Sequence, residues 1–276
     1  ATEKGPAYDI NIDIFNKLQR TITGWPGGKP GADDRQRPER AEPARKRVVI
    51  FSPHPDDDVI SMGGTFIRLV DQGHDVHVAY QTSGNTAVWD DDVLRYMEFA
   101  IDFNNSIGKE TGHLEEIYDN MRTFLEDKQP NQLDSQEIRD VKGFIRKSEA
   151  IAGARYAGLE DDHIHFMALP FYETGKTVKK PVTDIDVELT MELLQKVKPH
   201  QVFAAGDFAD PHGTHIVCFR IIVEALERLR ETEEWTKDCW LWMYRGAWHE
   251  FATHEIEMAV PLSPQEVERK RFAIFK

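Results

Sequence analysis

The strongest constraint on this chain is a repeated alternation: an apolar run too short for a helix, then a polar loop, then a stretch with helical spacing. Val48-Val49-Ile50-Phe51 is a continuous apolar run of the kind found in central parallel strands, which are covered on both faces. The loop Ser52–Asp58 follows, with a helix expected from about Gly63 to Gln72. Val76–Tyr80, His163–Leu169 and Gln201–Ala205 read as further strands. Helices are expected over Ser135–Gly158, Ile185–Val197 and His212–Arg230, and Trp240–Tyr244 and Ile256–Val260 read as two closing strands. This order predicts an α/β fold: a Rossmann-like, mainly parallel, twisted sheet with helices on both faces. In such sheets ligands gather beyond the carboxyl ends of the strands.

Two regions interrupt the alternation. Residues 1–46 read as an N-terminal arm and linker: Ile14, Leu18 and Ile22 suggest a short amphipathic helix, and Gly, Pro and charged residues dominate from Gly24 to Lys46. Residues 47–276 then form the main domain, with an acidic helical insertion at about 85–135 that includes Asp90–Ile107 and Leu114–Leu125. With Trp89 and Arg95, that insertion reads equally as a lid or as a surface excursion. Asp90–Asp92 read as a solvated helix end. The start at Ala1 and the stop at Lys276 in a helical stretch suggest a piece of a longer protein.

Charge and cysteine usage narrow the partners. With 34 basic against 48 acidic residues the net charge is −14, which argues against a nucleic-acid partner, since phosphate neutralisation needs a clustered basic face. No apolar run approaches the ~18 residues of a membrane span, and no signal peptide is evident. Cys218 and Cys239 read as ordinary thiols, so a reducing cytoplasm is expected.

Two polar clusters follow predicted strands: His54-Pro55-Asp56-Asp57-Asp58 and Asp210-Pro211-His212-Gly213-Thr214-His215. A doubly wound sheet can bring two such loops together. His54 and Asp57, three apart on a turn, can converge on one ion, and His215 can complete a three-ligand set of the type that suits catalytic zinc. Asp56 is then free to act as base, and His212 can face the same cavity without touching the metal. Iron, cobalt or manganese could use the same ligands. Each loop alone is ordinary turn chemistry; only their joint placement points to a site. Gly63-Gly64 reads as close helix–sheet packing, because no G-x-G-x-x-G fingerprint accompanies it. His77, His163 and His165 fall in strands and read as structural, and Trp240, Trp242, Tyr244 and Trp248 as core and rim aromatics.

The run Pro53-His54-Pro55-Asp56-Asp57 with Gly63-Gly64-Thr65 resembles the signature of the PIG-L/LmbE-type N-acetylglucosaminyl deacetylases. Arg146-Lys147-Ser148-Glu149-Ala150, Lys198–Val202 and His212-x-x-His215 are similar to further family motifs in the same order. The resemblance implies zinc held by His54, Asp57 and His215, Asp56 as general base, His212 as oxyanion stabiliser, and Ser61 and Arg146 at the sugar pocket. It further implies hydrolysis of the N-acyl amide of a small amino-sugar substrate, and is compatible with a homo-oligomer. Asp58 stands where the family often has Glu, and Thr214 where an acidic or amide residue often orients the first His of the second motif. Asp207 and Asp210 are candidates to replace that partner. Arm and domain together resemble the C-terminal half of glucosamine-6-phosphate deaminase-like fusion proteins of Bacteroides-type bacteria, which implies a covalently linked N-terminal deaminase-like domain. Two other readings compete: a metal-dependent hydrolase of another acylated amine, and a non-catalytic sugar-binding module.

Overall fold

Alternate residues of the apolar runs feed two cores, one on each face of a single sheet. The computed structural model describes residues 5–6, 9–10, 45–173, 179–246, 248–260 and 262–276. The expected helix over Ile10–Ile22, apart from Ile10 itself, and most of the linker lie outside these residues. Five strands pair in parallel in the order β3-β2-β1-β4-β5: β1 Arg47–Ser52, β2 Asp75–Tyr80, β3 Ile164–Phe166, β4 Gln201–Ala205 and β5 Trp240–Tyr244. Seven α-helices accompany them among the described residues: α1 Asp57–Asp71, α2 Asp90–Ser106, α3 Gly112–Glu126, α4 Gln136–Ala157, α5 Asp184–Val197, α6 Thr214–Arg230 and α7 Pro264–Ile274. None is long and apolar enough to cross a membrane.

Because side chains alternate across a strand, Val48 and Ile50 of β1 point to one face and Val49 and Phe51 to the other. On the first face they pack with Phe66 and Ile67 of α1, Ala150 and Ala154 of α4 and Ala273 of α7. On the second they meet Val187 and Leu194 of α5 and Cys218, Ile221 and Ile222 of α6. The α/β sheet with helices on both faces is therefore the fold expected. The chain runs outward from β1 through β2 to β3, then returns to β4 on the other side of β1. Between β1 and β4 lies the switch point, where two successive loops diverge and leave a crevice.

Several local expectations are corrected. The first helix begins at Asp57, not Gly63; non-helical backbone at Met62 (φ −130°, ψ 19°) kinks it, and the expected helix is its second half. Strand β3 ends at Phe166 because Ala168 adopts φ 47°, although Met167 and Leu169 still donate to the carbonyls of Tyr80 and Gln81. Ile256–Val260 form no strand: Met258 and Val260 pack on the first core instead of pairing with the edge of β5. Gly64 serves helix–segment rather than helix–sheet packing, since a Cβ there would lie 2.2 Å from Leu262 Cδ1.

Helices α2 and α3 pack on α4 through a small core of their own, Val93, Met121 and Ile138. Asp90 is an ion-pair partner rather than a solvated helix end, accepting from Lys142 Nζ at 2.6 Å and Lys128 Nζ at 2.9 Å. Asp134 takes the same two lysines, so the first turn of α2 is tied to α4.

Phe66 is fully buried between α1 and the sheet. Phe66→Ala is expected to lower the unfolding free energy by about 3–5 kcal/mol in urea denaturation. A loss below about 1 kcal/mol would mean that this face is not the packed core.

Candidate functional site

Strand β1 delivers its chain into the crevice through a loop organised by Ser52. Its hydroxyl donates to the His54 carbonyl at 2.5 Å and accepts the Asp58 N–H at 3.1 Å, folding residues 53–57 back over the strand end. The Asp57 carboxylate then accepts the His54 backbone N–H at 2.9 Å and lies 3.1 Å from His54 Nδ1. Strand β4 delivers the second loop. There Asp210 caps α6: its Oδ2 accepts the N–H groups of Thr214 (2.8 Å) and His215 (3.2 Å), and its Oδ1 accepts that of His212 (2.9 Å). These bonds satisfy amides at the helix start that have no partner within the helix.

The two loops meet at Asp57. His215 Nε2 lies 3.2 Å from Asp57 Oδ2, and the ring centroids of His54 and His215 are 5.3 Å apart. Ligand atoms of His54, Asp57 and His215 all fall within 4.8 Å of one another. Asp57 and His215 are buried, and neither ring nitrogen of His215 has a properly directed hydrogen-bond partner. A buried imidazole that points at a carboxylate without bonding to it fits a cation held between the two. Burial raises the Asp57 pKa, but the imidazoles of His215 and His54 outweigh it and hold the carboxylate well below its ordinary range. Burial lowers the His215 pKa, and Asp57 more than reverses this. Two imidazoles with one carboxylate form a donor set that suits zinc or a similar ion.

Around the triad lies a cavity of about 620 Å³. Asp56 lines it, and its carboxylate is held at 2.9 Å by Arg146 Nη2 from α4. His212 also lines it, half exposed, with Nδ1 3.1 Å from Asp210 Oδ1. Of the two carboxylates considered as the orienting partner of His212, Asp210 takes that place. Asp207 instead accepts the backbone N–H groups of Trp248 (2.6 Å) and His249 (2.9 Å), fixing the far rim. Ser61 is not among the lining residues; it packs beneath Gly246, which is. Trp89 and Arg95 stand in solvent, and the insertion reaches the cavity through Thr86 and Ala87.

Other residues reach the cavity without a motif to announce them. Tyr172 meets His54 edge-on at 5.9 Å and its hydroxyl is 3.0 Å from Thr86 Oγ1. Lys179 Nζ sits 3.8 Å above the Tyr172 ring, and burial lowers its pKa. Trp248 flanks His212. Gly84 adopts φ 62°, where a side chain is strained, and a Cβ there would meet Pro55 Cδ at 2.8 Å and Arg146 Nε at 3.3 Å.

Beneath the loop, Asp58 is fully buried. Tyr80 OH donates to its Oδ2 at 3.0 Å, and the Ser52 hydroxyl lies 3.2 Å from its Oδ1. Burial, helped by the neighbouring Asp56 carboxylate, pushes its pKa up to about 7 against the opposing bonds from Tyr80 and Ser52.

Comparison with known proteins places these loops in context. Residues 49–226 match the family model described as GlcNAc-PI de-N-acetylase, PIG-L. A Bacteroides thetaiotaomicron protein named glucosamine-6-phosphate deaminase-like is 55% identical over 274 residues, 99% of this chain. The chain spans 41% of that relative's length. Among solved structures, the N,N'-diacetylchitobiose deacetylase of Pyrococcus horikoshii superposes with a TM-score of 0.54 at 20% identity, over 95% of this chain and 76% of that one, a likeness of fold.

A carboxyl group whose folded pKa lies above its unfolded one stabilises most below the unfolded value, and that contribution is lost as pH rises through the folded value. For Asp58 the window runs from the ordinary 3.8 up to about 7. With a chelator present, stability measured by denaturant titration should fall across that window in the parent chain and fall less in Asp58→Asn. Equal slopes would show that Asp58 does not hold its proton.

Proposed function

This chain belongs to the GlcNAc-PI de-N-acetylase (PIG-L) family, and from that premise we propose that it is a zinc-dependent hydrolase of the N-acetyl amide of an amino sugar or its conjugate. One observation carries the proposal: His54, Asp57 and His215, drawn from two loops, converge on a place for a cation at the wall of a cavity that Asp56 and His212 also line.

In this proposal His54, Asp57 and His215 would hold the ion, which when bound would supply an acidified water and a Lewis acid for the amide carbonyl. Every other part falls to the protein's own side chains. Asp56 takes the proton of the attacking water, its carboxylate aimed by Arg146. His212, held by Asp210, donates to the oxygen on which negative charge develops; one such donor is worth about 3–4 kcal/mol. Asp56 then returns its proton to the departing nitrogen, a step required because an unprotonated amine is a poor leaving group. The Trp248 ring offers an apolar face for a sugar, and Lys179 with Arg146 offers donors to its hydroxyls or to an acidic substituent.

Two wider statements go with this proposal. The relative's greater length supports residues 47–276 as the deacetylase domain of a longer protein, residues 1–46 being an arm from a deaminase-like domain. Two unpaired thiols, Cys218 and Cys239, support a reducing compartment such as the cytoplasm.

Asp56→Asn should retain the parent chain's zinc content and lose on the order of 10²–10⁴-fold in turnover. The assay is metal analysis beside release of free amine from N-acetylglucosamine, its 6-phosphate and a panel of other acylated amines. Normal turnover in this variant would remove Asp56 from the role of base. A parent chain that releases no amine, and whose zinc content His54→Ala/His215→Ala leaves unchanged, would instead favour a sugar-binding module.

A further inference from the structure

At the opposite end of the sheet, about 16 Å from the strand ends that carry the cavity, β2 and the edge strand β3 gather side chains that the deacetylase reading leaves unused. Asp75 opens β2 and His77 stands two residues on, so both leave the same face. His165 of β3 pairs with Ala79 of β2, which sets His163 beside His77. The His77 and His163 rings stack with centroids 4.3 Å apart and planes 17° from parallel. Asp75 Oδ1 lies 3.0 Å from His163 Nε2 and 3.6 Å from His77 Nε2. These three ligand atoms all fall within 4.8 Å of one another, and all three residues are partly buried.

What lies behind the rings is as telling as what lies between them. His163 Nδ1 is 2.6 Å from Asp162 Oδ1, and His77 Nδ1 is 3.0 Å from His165 Nε2. His163 Nε2 donates to Asp75 Oδ1 at 3.0 Å, a proton that an incoming ion would displace; with the remaining proton on Nδ1 of each ring both outer contacts are kept and the two Nε2 lone pairs are left for the ion. Metal-ligating histidines are held in this way, the far nitrogen donating to a carboxylate or another acceptor that fixes tautomer and ring plane. Two imidazoles and one carboxylate form a donor set for a first-row divalent ion. Arg45, exposed and 3.9 Å from Asp75 Oδ1, is free to swing aside for such an ion, and Lys196 is the other cation close to His77 and His165.

We propose that Asp75, His77 and His163 form a second transition-metal site, separate from the cavity, that takes Zn²⁺ or a similar ion and clamps β3 to β2. Strand β3 has three residues and pairs only with β2, so an ion bridging His163 to Asp75 and His77 adds a cross-link where the ladder is shortest.

The test uses the full chain, stripped with a chelator and dialysed against Zn²⁺. His54→Ala/His215→Ala removes two ligands of the cavity triad, so the proposal stands or falls independently of the catalytic reading. That variant is expected to bind one Zn²⁺ per chain and to gain thermal stability on binding it. Adding His163→Ala should abolish both effects, and adding the near-isosteric Asp75→Asn repeats the test with less disturbance of packing. Asp162→Asn should weaken the Zn²⁺ affinity about 10–100-fold while leaving far-UV circular dichroism unchanged. A His54→Ala/His215→Ala chain that binds no Zn²⁺, or binding that survives both His163→Ala and Asp75→Asn, would overturn the proposal.

Discussion

Everything at the centre of this molecule depends on the Asp57 carboxylate standing between two imidazoles. It accepts the His54 amide from its own loop and lies 3.2 Å from His215 Nε2, a ring contributed by the start of α6. Buried as it is, that carboxylate is tolerable only with positive charge beside it, because an isolated ion in such a setting costs far more than a hydrogen bond returns. The requirement forces the β1 and β4 loops together. It also leaves Asp56, the preceding residue, lining the cavity with Arg146 Nη2 2.9 Å from its carboxylate.

A second layer of carboxylates supports this contact. Asp210 spends its two oxygens on three backbone amides and the His212 ring, and Asp207 spends one of its own on the amides of Trp248 and His249. Asp58 is pushed the other way, towards its neutral form, by complete burial beneath the loop. Four aspartates within one site thus differ in role through their surroundings alone: one held by cations, two consumed by amides, one stripped of water. A net charge of −14 conveys none of this.

The layered fold was legible because its signals are local. Val48–Phe51 and Gln201–Ala205 are apolar on both faces and end in polar loops, which suffices to set two central strands side by side and a crevice above them. The same logic led from two motifs to the loops that meet at Asp57. It failed where pairing depends on a partner: Ile256–Val260 alternates like a strand, yet Met258 and Val260 find their burial against the first core without a ladder. Tyr172 and Lys179 were invisible for a related reason, since nothing in their neighbourhood is periodic and their place follows from how the chain leaves β3. The partner of His212 could be narrowed to Asp207 or Asp210; only the turn before α6 shows which carboxylate reaches the ring.

The ring of His215 is far along the chain from His54, and the sheet must close β1 against β4 before the two can approach. Between those strands come β2, β3 and five of the helices. Contacts this distant in sequence are entropically expensive to form and arrive late in folding. A newly made chain therefore carries His54 and Asp57 early as an incomplete two-donor hook, and gains the third donor only once its topology is finished. On the proposed zinc reading, tight capture of an ion at the cavity would be a proofreading signal for the fold, since a chain that mispairs its central strands would have nothing to hold the ion with.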